Sequence, residues 1–270
     1  MSDIRHLSSE GKPLLNTAED RQAKIVELLR EETFLDIRTI TERFDVSVAT
    51  VRRDLGDLEE AGLLRRTHGG AVSINQVAHD PSNADRAVSH LDEKRAIAEA
   101  AAAMIADGDT VLLDAGTTAL EVAKRLVVRR NLTFLSNGAD IIAELIRRDG
   151  QSVYAVGGEY AEINRSFRGP LAERFIRQFS VDKLILNASS IDLNRGLIFT
   201  GSPVNASVQQ AMIEVSSRVI VVADHSKFTK TSFSVTTKIE DVGVIVTDAG
   251  ARSIIDAVPE KLRRKFVIAT

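Results

Sequence analysis

Residues 113–118 combine residue types that bind an anion at the start of a helix. An apolar strand pattern ends just before Asp114, and Gly116, Thr117 and Thr118 follow before a helical pattern begins. Glycine lets the backbone approach a ligand closely, and the hydroxyls and free amides of a first helical turn bind phosphate. The segment is a candidate anion site, although the same residue types also form ordinary turns and helix caps.

Three more predicted strands end in small or polar residues. Ser136 and Asn137 follow one strand, Gly157 and Gly158 follow another, and Lys227 lies just beyond a third. Ligands of open α/β sheets bind outside the carboxyl ends of the strands, where these segments would converge. Together the strand ends predict a pocket for a phosphorylated polyol.

A second group of residues, near the start of the chain, could contact DNA. Apolar residues at spacings of three and four predict three short amphipathic helices, the third over about residues 48–61. Ser47 is placed to cap this helix, whose apolar face we expect to bury Val48 and Val51 together with two leucines. The side chains left on other faces near the helix start suit a recognition helix: Ala49, Thr50, Arg52 and Arg53.

The charge of this segment excludes a general basic patch. Nine basic and eleven acidic residues lie between Asp20 and Arg66. DNA binding would therefore depend on where particular arginines point. We expect four of them to face the phosphates: Arg52, Arg53, Arg65 and Arg66. From the pattern alone, the three helices could equally form a protein-docking module.

The elements that must position these residues form two domains. We predict a flexible tail over 1–19, a winged helix-turn-helix domain over 20–75, a linker over 76–90 and an α/β domain over 91–270. A Gly-Gly pair at 69–70 predicts the small hairpin of the wing. Helices and strands alternate beyond the linker, which indicates a mainly parallel sheet covered by helices.

Composition narrows the function classes. The 270 residues include no Cys, which excludes thiolate metal sites and disulfides, and the formal net charge is −3. We expect a cytoplasmic protein, because no apolar run is long enough for a membrane span or an export signal. Dinucleotide and Walker motifs are absent from the sequence, and His68 has no second ligand at metal spacing, so we expect no cofactor and no metal.

Several motifs resemble the DeoR family of bacterial transcriptional regulators. They include Arg-Arg-Asp-Leu at 52–55, His-Gly-Gly-Ala at 68–71, Asp-Ala-Gly-Thr-Thr at 114–118 and Asp-His-Ser-Lys-Phe at 224–228. The resemblance covers residues 20–250. It implies a winged helix-turn-helix domain and an effector domain similar in fold to ribose-5-phosphate isomerase, binding a phosphorylated sugar or sugar-alcohol without enzymatic activity.

The residues and the resemblance together give two sets of predicted contacts. The DNA set is Ser47, Ala49, Thr50, Arg52, Arg53, Arg65, Arg66 and His68. The effector set is Asp114, Gly116, Thr117, Thr118, Ser136, Asn137, Gly157, Gly158, Arg168 and Lys227. Arg168 stands at a position that is often apolar in the family, where it supplies an extra cation or forms a salt bridge.

The predicted function is repression of a carbohydrate or polyol operon by a homo-oligomer, a dimer or tetramer, that binds double-stranded operator DNA and a phosphorylated effector. A sugar-phosphate isomerase with an accessory N-terminal module is the alternative. It would need a general base, for which Asp114 and Asp224 are the candidates. A protein-interaction adaptor is a third hypothesis, which predicts no salt-dependent DNA affinity.

Overall fold

The computed structural model describes residues 17–31, 35–61, 63–67, 69–73, 83–230 and 232–270. The chain forms two compact units, Met1–His79 and Asp80–Thr270. Within the described residues, no helix combines the length and the apolar composition that crossing a bilayer requires.

The first unit contains three helices and a small antiparallel sheet. Its elements are α1 (Ala18–Glu31), β1 (Leu35–Asp36), α2 (Ile37–Phe44), α3 (Val48–Glu60), β2 (Leu64–Thr67) and β3 (Gly70–Ser73). The strand order is β1-β3-β2. Apolar residues of all three helices and of the sheet, including Ile25, Ile40, Leu55 and Leu64, form one buried cluster. This is the winged helix-turn-helix arrangement that the sequence predicts.

Capping residues define where α2 and α3 begin and where α2 ends. Asp36 caps α2 by accepting a hydrogen bond from the Thr39 amide, and Asp45 ends the helix in the left-handed conformation with φ 49°. Ser47 caps α3 by accepting from the Thr50 amide. The turn between the two helices therefore combines a left-handed backbone residue at the end of α2 with a side-chain cap at the start of α3.

The second unit is an α/β domain. Its helices are α4 (Asn83–Val88), α5 (Leu91–Ala102), α6 (Thr117–Leu126), α7 (Ala139–Leu145), α8 (Pro170–Ile176), α9 (Pro203–Glu214), α10 (Arg252–Asp256) and α11 (Glu260–Arg263). Its strands are β4 (Thr110–Leu113), β5 (Thr133–Ser136), β6 (Ser152–Ala155), β7 (Glu159–Ala161), β8 (Ser166–Arg168), β9 (Val181–Asn187), β10 (Ser190–Asp192), β11 (Leu197–Thr200), β12 (Ser216–Val222), β13 (Ser234–Lys238), β14 (Val244–Asp248) and β15 (Phe266–Ala269).

Seven of these strands form a parallel sheet in the order β15-β14-β12-β9-β4-β5-β6. The chain starts at β4, moves outward through β5 and β6, and then crosses back to place β9 on the other side of β4. The order of strands therefore reverses between β4 and β9, which creates the crevice where ligands of such sheets bind.

Side chains alternate across this sheet and pack helices on both faces. Val111 and Leu113 of β4 join a cluster with α5 and α6, whereas Leu112 joins a second cluster with α8 and α9. The predicted α/β class with a covered parallel sheet is confirmed. An antiparallel sheet in the order β10-β11-β13 and the β7–β8 hairpin were not predicted.

Three local expectations differ from the structure. The predicted 76–90 linker contains α4, which belongs to the second unit, while residues 76–82 lie outside the described part of the chain. Residues 1–16 of the predicted tail also lie outside it, and α1 begins at Ala18. Val48 is 44% exposed rather than buried, because the first residue of α3 lies beyond the edge of the core.

Candidate functional site

Helix α3 presents its predicted DNA-contacting side chains to solvent. Arg52, Arg53 and Ala49 are exposed, and Thr50 is half-buried, while Val51 on the opposite side is buried in the core. The Ser47 and Thr50 hydroxyls lie 2.9 Å apart at the helix start. The first turns of α3 thus offer two guanidinium groups and small or hydroxylated neighbours, which match guanine edges or phosphates in a major groove.

Asp54 has a structural role within the Arg-Arg-Asp-Leu motif. Its carboxylate is 2% exposed and accepts hydrogen bonds from Arg21 Nε at 2.6 Å and Arg21 Nη2 at 3.0 Å. Gln22 of α1 donates to it as well. The bidentate pair links α3 to α1 and so fixes the helix that carries Arg52 and Arg53 against the rest of the unit.

The wing contributes one described side chain to the predicted DNA surface. Arg66 is exposed, and its backbone amide donates to Glu59 of α3 at 2.8 Å, which joins the wing to the recognition helix. Arg65 lies in β2, but its side chain is not among the described ones, and His68 lies outside the described residues. Their DNA contacts stay predictions.

A cavity of about 140 Å³ lies at the carboxyl ends of the central strands of the second unit. It is at the reversal point between β4 and β9, and α4, α5, α6 and α9 also contribute to its walls. Seven of the ten predicted effector residues line it: Asp114, Gly116, Thr117, Thr118, Asn137, Arg168 and Lys227.

Asp114 is the centre of a buried polar network in this cavity. Its Oδ2 accepts hydrogen bonds from Gln209 Nε2 at 2.7 Å and from the Asn187 amide at 3.2 Å. Burial raises the pKa of the Asp114 carboxyl to about 6, although these hydrogen bonds lower it. Gln209 accepts in turn from Thr236, so the carboxylate is held in one position.

The start of α6 is the segment for which the sequence predicts an anion cradle. Gly116 occupies the N-cap position, where no side chain caps the helix, and Thr117 and Thr118 form its first turn. A Cβ on Gly116 would lie 2.6 Å from Asn187 Cγ, so only glycine fits against that side chain. The first-turn amides of a helix without a side-chain cap are the groups that bind anions, and the Thr117 hydroxyl lies 3.4 Å from the Arg86 carbonyl, to which it donates.

Positive charge surrounds the cavity. Arg168 lines it while forming an ion pair with Glu159 at 2.9 Å, so the cation and salt-bridge interpretations of Arg168 are compatible. Lys227 lies 3.9 Å from Asp224, a carboxylate that is 1% exposed. Burial opposes the charge of Asp224, but Lys227 and the Ser226 hydrogen bonds outweigh it and hold the pKa of this carboxyl below its ordinary value.

Three predicted effector residues lie outside the cavity lining. Ser136 is fully buried, and its hydroxyl donates to the Leu113 carbonyl and accepts from the Gly138 amide, which joins the ends of β4 and β5. Gly157 and Gly158 follow β6 at the edge of the sheet. A Cβ on Gly158 would lie 2.6 Å from the Arg168 carbonyl, so this glycine serves the packing of the β7–β8 hairpin.

Asn137 lines the cavity but also holds two loops together. Its Oδ1 accepts from the Ala115 amide at 2.9 Å, and its Nδ2 donates to the Phe167 carbonyl at 3.1 Å. The residue therefore sets the position of the segment that leads into α6.

Several residues of the cavity wall are not among the predicted effector contacts. Arg86 comes from α4, Asn187 from β9 and Gln209 from α9. Lys94 of α5 is 3% exposed, donates to the carbonyls of Arg86 and Ser89, and has a pKa that burial lowers. A lysine at the spacing of three to four from the apolar residues of α5 was the sequence signal that could have identified it.

Comparison with known families gives two matches. Residues 21–77 match the model described as a DeoR-like helix-turn-helix domain, and residues 89–249 match the model described as a DeoR C-terminal sensor domain. The first range contains the α3 surface, and the second contains the cavity apart from Arg86.

Known relatives cover nearly the whole chain. The chain is 72% identical to the transcriptional repressor AccR of Agrobacterium fabrum over 95% of this chain and 99% of that protein. It is 33% identical to the HTH-type transcriptional regulator GlpR of Haloferax volcanii over 85% of this chain and 89% of that protein. Among solved structures, ribose 5-phosphate isomerase A of Methanocaldococcus jannaschii matches 52% of this chain and 55% of its own, with 14% identity and a TM-score of 0.40.

Proposed function

The chain belongs to the DeoR family and is a transcriptional repressor, and from this premise we propose that a phosphorylated sugar or sugar-alcohol controls its binding to an operator of a carbohydrate or polyol operon. The observation that carries the proposal is the cavity at the start of α6, where an uncapped helix start adjoins cationic side chains and buried acceptors of hydroxyl groups.

The charges of the cavity favour an anionic ligand. Its described lining includes two carboxylates, Asp114 and Asp224, and a larger set of cations: Arg86, Lys94, Arg168, Lys227 and Lys230. A phosphate at the first turn of α6 would accept from the backbone amides and the Thr117 and Thr118 hydroxyls. The excess of positive charge would neutralise it.

The remaining lining favours a ligand rich in hydroxyl groups. Amide and hydroxyl side chains dominate the wall beyond the cradle, and the Asp114 carboxylate is an acceptor for a ligand hydroxyl. A buried polar wall discriminates strongly against a ligand that leaves its groups unpaired. The wall thus suits a polyhydroxy compound better than an apolar one.

Operator binding is assigned to the exposed start of α3. We propose that a homo-oligomer places two such helices at half-sites about one helical turn, or a multiple of it, apart. For the effector to release DNA, it must bind the DNA-incompetent state more tightly. A complete switch needs a difference on the order of 5 kcal/mol between the two states.

The test is fluorescence anisotropy of the full chain on labelled DNA from upstream of its own gene. The complex is titrated with phosphorylated sugars and polyols and, as matched controls, with their unphosphorylated counterparts. Release by a phosphorylated compound but not by its counterpart supports the proposal. Operator binding that no compound in the panel changes, or release by both members of a pair, contradicts the phosphate-sensing part.

A further inference from the structure

Two histidines and a glutamate come together beside the effector cavity. Single donor atoms of His90, Glu93 and His225 all lie within 4.8 Å of one another. The rings of the two histidines meet edge to face with their centroids 4.8 Å apart. The three residues come from two places in the chain: the first turn of α5 and the short turn after β12.

Asp248 fixes His225 in the form that can bind a metal. The Asp248 carboxylate is 3% exposed and accepts hydrogen bonds from the backbone amides of His225 and Gly250. Its Oδ2 also lies 2.9 Å from His225 Nδ1, so Nδ1 carries the hydrogen of that bond. The lone pair of His225 is then on Nε2, as in the carboxylate–histidine–metal arrangement of known metal sites.

Position 250, beside the His225–Asp248 pair, accommodates only glycine. A Cβ on Gly250 would lie 2.7 Å from His225 Nδ1 and 2.8 Å from Asp248 Oδ2. Glycine at this position is therefore what allows the close contact between the imidazole and the carboxylate.

His90 and Glu93 form the other side of the cluster. They are three residues apart at the start of α5, which puts them on one helix face, and His90 Nδ1 lies 3.9 Å from Glu93 Oε1. His90 has φ 52° and makes no side-chain capping bond to α5. A non-glycine residue in this left-handed conformation is strained, and residues of this kind cluster at functional sites.

We propose that His90, Glu93 and His225 form a binding site for a divalent transition metal ion, with Zn²⁺ as the ion that this donor set fits best. Two imidazole nitrogens, one carboxylate oxygen and one open position are a known zinc coordination set. Tetrahedral donors about 2 Å from zinc lie about 3.3 Å apart, so these partly exposed side chains must close by at most about 1.5 Å.

The cluster shares one residue with the cavity proposed for the effector. His90 belongs both to the cluster and to the cavity wall, so an ion held here would lie at the edge of that cavity. The inference departs from the sequence expectation of no metal. It does not depend on the identity of the effector, because zinc binding is measured without one.

The experiment is a titration of the full chain, free of any histidine tag and stripped of metal, with ZnCl₂ by isothermal titration calorimetry. We expect one Zn²⁺ per chain, and we expect His90→Gln and His225→Gln each to weaken binding at least about 100-fold. His79→Gln, at a histidine that is not one of the three proposed ligands, is the matched control and should bind zinc like the wild type. Circular dichroism checks that each variant is folded.

Two further readouts separate ligation from a structural role. Co²⁺ in place of Zn²⁺ should give the visible absorption of a tetrahedral site in the wild type and lose it in Glu93→Gln. Asp248→Asn should keep that absorption while weakening zinc binding about 10- to 100-fold, because Asp248 positions His225 without touching the ion. No saturable binding to the wild type, or equal affinity in the wild type, His90→Gln and His225→Gln, overturns the proposal.

Discussion

Replacing Gly116 by alanine tests the effector site at a residue where an added methyl group would meet the cavity wall, at the Asn187 side chain. The added methyl group would lie 2.6 Å from Asn187 Cγ, 2.7 Å from Nδ2 and 2.9 Å from Oδ1, so the Asn187 side chain must move. Moving it costs about 1–3 kcal/mol of overpacking, and it breaks the 3.0 Å hydrogen bond from Asn187 Nδ2 to the Asp114 carbonyl, worth about 1 kcal/mol.

Part of this cost falls on the ligand, because the methyl group stands at the first turn of α6 where we place the phosphate. We expect Gly116→Ala to weaken effector binding about 10- to 100-fold, or roughly 1.4–2.8 kcal/mol. Operator affinity without effector should not change, since the α3 surface is in the other unit.

The assay is calorimetric titration with the compound that releases wild-type protein from its operator, together with the release midpoint by anisotropy. Gly157→Ala is the matched control: its new Cβ meets no heavy atom within 4 Å, and Gly157 does not line the cavity. A folded Gly116→Ala protein with wild-type effector affinity, or an equal loss in Gly157→Ala, would refute the placement of the phosphate.

Three other predictions concern the recognition helix and the two buried aspartates. Arg52→Ala and Arg53→Ala should each cost about 1–3 kcal/mol of operator affinity if the arginines contact bases, or lower the salt dependence of binding by about 1 in slope if they contact phosphates. The same change at the exposed arginines 147–148 is the control and should do neither. Full operator affinity in the Arg52/Arg53 double variant would contradict the assignment of α3 as the DNA-contacting helix. Asp54→Ala should lower the free energy of unfolding of the first unit by about 3 kcal/mol, because it removes the carboxylate that pairs with the partly buried Arg21 guanidinium. Hydrogen exchange of the helices of this unit measures the change. Unchanged exchange would show that the ion pair does not stabilise the unit. The pKa of Asp114 is about 6 in the folded protein against an ordinary value of 3.8, so its contribution to stability is greatest below pH 3.8 and falls as the pH rises to 6. Denaturation at a series of pH values should show that Asp114→Asn loses less stability than the wild type over this range, by up to about 3 kcal/mol. Parallel stability curves for the two proteins would contradict the shift.

Sequence patterns predicted the helices and strands of this fold well, but they did not predict which strands and helices lie next to one another. Strand β4 and the polar run after it were placed correctly, because apolar alternation and a helix start are local signals. The order of the strands is not local. Gly157 and Gly158 were grouped with the site because β6 ends like the others, but β6 is at the edge of the sheet, far along it from β9.

The cavity-wall residues that the sequence does not predict have the same cause, the nonlocal packing of strands and helices. Asn187 and Gln209 reach Asp114 only because β9 crosses back beside β4 and α9 packs over it. The sequence does not identify Arg86 for another reason. Helix α4 has only six residues, which are too few to show a helical period, and it follows Asp80-Pro81, a pair typical of a linker. Short elements and nonlocal contacts thus limited the prediction.

The most direct test of the account is calorimetric titration of DNA-free wild-type protein with the releasing compound and with its dephosphorylated form, followed by recovery of the compound. We expect one equivalent of the compound bound per chain, an affinity at least about 100-fold lower without the phosphate, and a compound recovered unchanged. Equal affinity for the two forms would contradict the anion cradle at α6. Conversion of the compound would favour the isomerase alternative, with Asp114 or Asp224 as its base.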